Sequence, residues 1–112
     1  MLENTEDPVE KIALLEQEIG NITGTFYFQA LLADYEYQAH ELVEKGEPVT
    51  AEVLTGIIEK LFDEYYGKNV EKEELLYVLW ARIPHFFNSP FYVYQYATCF
   101  ASSAILYDKI IK

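Results

Sequence analysis

An uncharged run in the second half of the chain constrains its fold more than any other feature. From Ile83 to Tyr107, 25 consecutive residues include no Asp, Glu, Lys or Arg, and a run of that length can cross a bilayer as a helix. Two prolines, a histidine and several Ser, Thr, Asn and Gln residues interrupt it, and placing so many polar groups in lipid is costly. The sequence therefore predicts no membrane span, and we expect this run to be buried inside protein.

Length and charge narrow the class of protein. The chain has 112 residues, which predicts a single domain over residues 1–112 because one core is usually built from about 50 to 200 residues. Nineteen acidic residues against 8 basic ones give a net charge of −11. That charge repels phosphate backbones and anionic lipids. We therefore expect neither nucleic acid nor a membrane as a partner.

The N-terminus and the cysteine content predict the compartment. Residues 1–10, MLENTEDPVE, have neither the basic flank nor the apolar stretch of a secretory signal. The single cysteine, Cys99, cannot form an internal disulfide and fits a reducing compartment. It lies without a nearby basic residue, so we expect a small buried hydrophobic side chain rather than a nucleophile. Together these features predict a cytoplasmic protein.

The spacing of apolar residues predicts an all-α fold of four or five helices. Apolar residues recur three and four apart almost throughout, and no sustained alternation predicts a strand. Capping patterns mark where helices begin and end: Asp7-Pro8, Thr50, Gly67 and Ser89-Pro90. The predicted helices cover residues 8–45, as one kinked helix or two consecutive helices, then 50–67, 71–83 and 91–111.

The last predicted helix is apolar on more sides than a small free domain can cover. Its apolar residues occupy more than the single stripe of about 100° that a surface helix normally buries. A helix of this kind needs protein on most of its sides. The sequence therefore predicts that the chain packs against either another copy of itself or the remainder of a larger protein.

Residues with useful chemistry concentrate around the break between the last two predicted helices. Trp80 to Ala104 reads WARIPHFFNSPFYVYQYATCFASSA and contains His85 together with Tyr92, Tyr94 and Tyr96. Imidazole and phenol donors in an apolar surrounding suit the binding of a carbonyl or its developing oxyanion. Residue types alone favour the alternative, plain aromatic packing with tethered hydroxyls. The other histidine, His40, is four residues from Glu36 and is expected to bond to that acid.

This segment resembles the oligoendopeptidase F family, a branch of the thimet-oligopeptidase-like zinc metallopeptidases. Family members carry a stretch much like ARIPHFY followed by FYVYQYATGF, and here ARIPHFF spans 81–87 and FYVYQYATCF spans 91–100. Weaker similarity extends upstream of this segment, so the resemblance covers roughly residues 20 to 107. The resemblance implies a C-terminal part of a larger, helical, two-lobed peptidase fold with zinc as its cofactor and oligopeptides as substrates.

The zinc residues of that family are absent from this sequence. No His-Glu-x-x-His occurs in it, so the ligands of any zinc lie outside the chain and the isolated chain is expected to be inactive. What the resemblance implies here is the second half of the site. His85 matches a histidine that contacts the tetrahedral intermediate, and Tyr92 and Tyr94 match substrate-binding tyrosines. Phe87 and Cys99 depart from the family pattern, where Tyr and Gly are usual.

Helix geometry keeps the orientation of the three tyrosines open. At about 100° per residue, Tyr92 and Tyr96 share one side of a regular helix, and Tyr94 lies about 200° from Tyr92. One regular helix cannot direct all three at one substrate atom. The competing hypothesis for the whole chain is a non-catalytic, acidic helical interaction module that self-associates through its last helix.

Overall fold

The computed structural model describes residues 7–112, and over that range it is all-α and contains no strand. Residues 1–6, on which the expected absence of a secretory signal partly depends, lie outside the described residues. The helices are α1 (Pro8–Ile22), a π-helical turn (Thr23–Tyr27), α2 (Phe28–Glu44), α3 (Ala51–Tyr66), 3₁₀ turns (Glu74–Leu76 and Leu79–Arg82), the four-residue α4 (His85–Asn88) and α5 (Tyr94–Ile111).

The caps at three helix ends follow the sequence. Asp7 accepts the Val9 N–H at 2.9 Å in front of α1, and Thr50 accepts the Val53 N–H in front of α3. These bonds satisfy backbone donors that have no partner within the helix. Gly67 ends α3 with a φ of 74°, a conformation that glycine adopts without steric cost.

The first long helical stretch is continuous rather than divided. The π-helical turn joins α1 directly to α2, and the Thr23 hydroxyl donates to the Ile19 carbonyl at 2.7 Å within this junction. A π turn accommodates one extra residue without breaking the helix. Of the two alternatives left by the sequence, a kinked long helix or two consecutive helices, the structure supports the single long helix, with a π-helical turn at residues 23–27.

The core lies between α2 and α3 and reaches the start of α5. α1 and α5 contribute no buried residue to it. Burying side chains of this size stabilises the fold by about 1.5 to 3 kcal/mol each. The buried hydrophobic residues are Leu31, Leu32, Tyr35, Ile58, Leu61, Phe62 and Val93.

The predicted helix over residues 71–83 is wrong. The structure has two short 3₁₀ turns there, and the Trp80 indole N–H donates to the Thr55 hydroxyl at 3.2 Å. Tyr77 and Leu79 both pack against the core, although they would lie about 200° apart around a regular helix. An irregular path lets both side chains reach the core, and a regular helix does not.

The last helix begins later than the sequence predicts. α5 starts at Tyr94 and not at Phe91, because Phe91 has a φ of 57°. That left-handed conformation interrupts a right-handed helix. Ser89 and Pro90 accordingly precede an irregular turn and do not cap α5.

The surface of α5 agrees with the prediction of an uncovered apolar helix. Large apolar side chains on its second half are exposed, and Ile110 is 80% exposed. α5 contacts the π-helical turn through the rings of Phe26 and Phe100. Cys99, expected to be buried, is exposed, since the described residues do not cover its side of α5. No helix within residues 7–112 has the length and hydrophobicity needed to cross a membrane.

Candidate functional site

His85 is held at the first position of a short helix by the backbone around it. Pro84 precedes it with a φ of −66°, and the His85 carbonyl accepts the Ser89 N–H at 2.9 Å. Ile83 and Phe86 on either side pack against the core. The sequence placed His85 in a short connection, and the structure gives that connection one helical turn.

The imidazole of His85 stacks on the ring of Tyr92. The two ring centroids are 5.1 Å apart and the planes differ by 6°. Tyr96 meets Tyr92 edge to face at 5.6 Å. Such paired rings stabilise one another beyond the area that they bury. We call these three residues, His85, Tyr92 and Tyr96, the His85 cluster.

The His85 cluster adjoins a cleft between α2 and the start of α5. The cleft has a volume of about 220 Å³ and is largely apolar. His85 and Tyr96 are the ionisable groups that line it, so an imidazole and a phenol face a surrounding of low polarity. The full lining consists of Phe28, Gln29, Leu32, Ile83, Pro84, His85, Val93 and Tyr96.

The two phenols of the cluster act on each other. A hydrogen bond with the Tyr92 side chain raises the pKa of Tyr96 above its ordinary value. Tyr96 therefore keeps its proton at neutral pH. A protonated phenol beside an imidazole offers a set of hydrogen-bond donors to a carbonyl oxygen or an oxyanion.

Tyr94, the third tyrosine of the segment, is not part of the cluster. It is the first residue of α5 and is half exposed. Among the described residues it has no ring contact with His85 or Tyr92. The structure thus brings together His85 and Tyr92 of the predicted site residues and leaves Tyr94 apart. Tyr96, which the sequence treated only as an alternative, joins them.

Glu36 is a residue of this region whose importance the sequence analysis missed. It is 3% exposed, and its carboxylate accepts the Phe91 N–H at 2.7 Å. The expected partner, His40, lies 4.0 Å from the Glu36 carboxylate, too far for a hydrogen bond. Glu36 and Phe91 are 55 residues apart in the chain, so no local spacing could have predicted the contact.

No metal centre is formed by this part of the chain. Within residues 7–112, no three His, Cys, Asp or Glu side chains lie close enough together to hold a metal ion. The two histidines are on different helices and face different partners, Tyr92 for His85 and Phe91 for His40. The residues present therefore do not fit a zinc site.

Comparison with known proteins gives a consistent result over the whole chain. The family model described as "Peptidase family M3" matches residues 2–112. The "Oligopeptidase PepF" of Bacillus subtilis (strain 168) is 33% identical over 112 residues, which is 100% of this chain and 17% of that protein. The "Oligoendopeptidase F homolog" of Borreliella burgdorferi is 40% identical over 111 residues, 98% of this chain and 18% of that protein.

A third relative matches similar shares of the two chains. The "Oligoendopeptidase F, chromosomal" of Lactococcus lactis subsp. cremoris is 33% identical over 111 residues, which is 99% of this chain and 18% of that protein. The chain thus spans less than a fifth of the length of these curated relatives. No solved structure matches it.

Proposed function

The chain belongs to peptidase family M3, and from this premise we propose that it forms the C-terminal part of the catalytic domain of a zinc metalloendopeptidase that hydrolyses oligopeptides. The relatives carry the names of oligopeptidases, which supports an oligopeptide substrate. Because the described residues hold no metal site, the zinc ligands belong to the remainder of the enzyme. In this proposal the enzyme is cytoplasmic.

The observation that carries the proposal is the stacked pair of His85 and Tyr92 beside an apolar cleft. When a peptide bond is attacked, its carbonyl oxygen gains negative charge. The His85 imidazole donates a hydrogen bond to that oxygen, and the bond strengthens as the charge develops. Such a donor lowers the barrier because water competes less for the oxyanion in an apolar surrounding.

The tyrosines have supporting roles in this proposal. Tyr92 holds the imidazole plane by stacking and contacts the substrate, with Tyr96 adding a protonated hydroxyl at the cleft. Tyr94 contacts the peptide from the other side of the start of α5, where its half-exposed ring is open to a ligand. The arrangement supplies donors for binding and for the oxyanion. It supplies no nucleophile.

The exposed apolar faces of α1 and α5 support the proposal that this chain packs against other protein. Large apolar residues of α1 and α5 are uncovered among the described residues, and contiguous patches of that kind are rare on free monomers. We propose that the remainder of the peptidase covers them, because the chain is less than a fifth of the length of its relatives. A second copy of the chain is the alternative occupant, and it belongs to the hypothesis of a self-associating module.

One preparation tests this proposal. The native protein that contains this sequence is isolated with an antibody raised against the chain, and its intact mass, metal content and oligopeptide cleavage are measured beside those of the 112-residue chain alone. We expect a native protein several times longer than 112 residues that cleaves oligopeptides, and an isolated chain that neither cleaves them nor holds stoichiometric zinc. A native protein of 112 residues without peptidase activity would favour the interaction module.

A further inference from the structure

Glu36 is a buried carboxylate whose burial calls for a physical explanation. Removing an ionised carboxylate from water is costly unless hydrogen bonds compensate it. Glu36 is 3% exposed in the middle of α2, and its carboxylate accepts a hydrogen bond from the Phe91 N–H at 2.7 Å. Charge-assisted bonds of this length are the strong ones. This contact therefore offsets part of the cost of burying the Glu36 side chain.

The partner of Glu36 has an unusual backbone conformation. Phe91 is the one non-glycine residue with a positive φ, 57°, within residues 7–112, and such a conformation is sterically unfavourable for an L-residue. It persists only where its surroundings hold it. The Glu36 carboxylate fixes the Phe91 N–H, and the His40 ring packs against the Phe91 ring at a tilt of 31°, with the centroids 4.6 Å apart. Glu36 and His40, one turn apart on α2, thus both contact Phe91.

Tyr92, which stacks on His85, lies between two anchored residues. Phe91, which precedes Tyr92, is hydrogen-bonded to Glu36, and Val93, which follows Tyr92, is 2% exposed in the core. The backbone of Tyr92 is therefore fixed at both neighbours. Since a side chain leaves its backbone in a set direction, these two anchors determine where the Tyr92 ring lies relative to the imidazole.

We propose that Glu36 is a positioning residue: it holds Phe91 in the left-handed conformation and thereby places the Tyr92 ring against His85. It touches neither His85 nor Tyr92 and acts through the backbone at the start of α5. The catalytic consequence rests on the proposed function. The geometric consequence does not, because the stack of His85 and Tyr92 can be measured without substrate.

The stack is measured in the full-length protein that contains this chain. Histidine is labelled with ¹³C at Cε1, and the His85 signal is assigned from its loss in a His85→Gln variant. A ring stacked at 5.1 Å shifts the imidazole proton, so Tyr92→Ala should move the signal. We expect Glu36→Ala to shift the His85 signal in the same direction. Glu36→Gln keeps an acceptor oxygen, so its His85 signal should lie close to that of wild type. Glu44→Ala, an exposed position on the same helix, is the matched control and should leave it in place.

Kinetics of the same variants connect the stack to activity. We expect Glu36→Ala to lower kcat/KM roughly 10- to 100-fold, with little further loss when Tyr92→Ala is added, because residues that act as one unit give non-additive effects. A residue that only stabilises the fold would lower the melting temperature and leave kcat/KM per folded molecule near that of wild type. If Glu36→Ala does not fold, Glu36→Asp takes its place, since the shorter side chain withdraws the acceptor from Phe91.

Each outcome of these measurements decides between the claims. A His85 signal that moves in Tyr92→Ala and stays in Glu36→Ala overturns the positioning role. A signal that moves in neither variant overturns it as well, because there is then no stack to position. If the signal moves in both variants while His85→Ala keeps normal activity, the positioning role stands and the proposed function fails.

Discussion

Replacing His85 with Ala in the full-length peptidase is expected to lower kcat/KM on the order of 10²-fold or more. In the proposed function the imidazole donates to the substrate carbonyl, and this interaction would strengthen in the transition state. Zinc content and melting temperature should stay close to wild type, because His85 is only partly buried and the proposal places the zinc ligands outside this chain. Rate, zinc and thermal unfolding are measured on one preparation.

Asn88→Ala is the matched control for that experiment. Asn88 is exposed at the other end of α4 and lies outside the His85 cluster, so its replacement tests whether any change in this short helix disturbs the site. We expect normal turnover from it. If His85→Ala instead gave a destabilised protein with full activity per folded molecule, His85 would be a packing residue and the catalytic role would be wrong.

A carboxylate introduced on the exposed face of α5 is expected to have a large effect in the complete enzyme and almost none in the isolated chain. Ile110 is 80% exposed here, so Ile110→Asp should change the unfolding free energy of the 112-residue chain by less than about 0.5 kcal/mol. Where the remainder of the enzyme covers this face, the new charge is buried. The unfolding free energy of the complete enzyme should then fall by about 3 kcal/mol or more.

Denaturant unfolding of both proteins measures this difference, and Lys60→Asp provides the control. Lys60 is exposed on the polar side of α3, so a carboxylate there should be tolerated in either protein. Equal tolerance of Ile110→Asp and Lys60→Asp in the complete enzyme would contradict the covering of α5. If the isolated chain forms a dimer that Ile110→Asp dissociates, a second copy occupies the face and the interaction module gains support.

The sequence predicted the helices whose signals are local. α3 begins after Thr50 and ends at Gly67 because a hydroxyl cap and a positive φ are properties of single residues in the chain. α1 follows Asp7-Pro8 for the same reason. The all-α class followed from periodicity alone. The apolar excess of α5 was also readable, since it depends only on which residues lie around one helix.

Features set by distant contacts were not predictable in this way. Residues 71–83 have helical spacing, but contacts such as Trp80 with Thr55 fix an irregular path. The late start of α5 depends on Glu36, which is distant from Phe91 in sequence. The exposure of Cys99 depends on how α5 lies against its neighbours.

For the candidate site as well, the sequence indicated which residues belong to it but not how they are oriented. The resemblance to oligoendopeptidase F pointed to His85, Tyr92 and Tyr94 through motif letters, and motif letters carry no orientation. The turn at Phe91 breaks the regular helix that would have related the tyrosines by a fixed angle. Helix geometry had already grouped Tyr92 with Tyr96 and apart from Tyr94, but only the folded backbone could show which of the two sides lies near His85. The substrate roles of all three tyrosines stay predictions.

Photo-crosslinking of a bound peptide tests most directly the claim that this chain faces the substrate of a larger peptidase. A cleavage-resistant oligopeptide carrying one benzophenone side chain is irradiated with the full-length enzyme, and the labelled residues are mapped by mass spectrometry with an unlabelled oligopeptide as competitor. The account predicts competable labelling within residues 85–96, around His85 and Tyr92. Competable labelling found only outside this chain would contradict it.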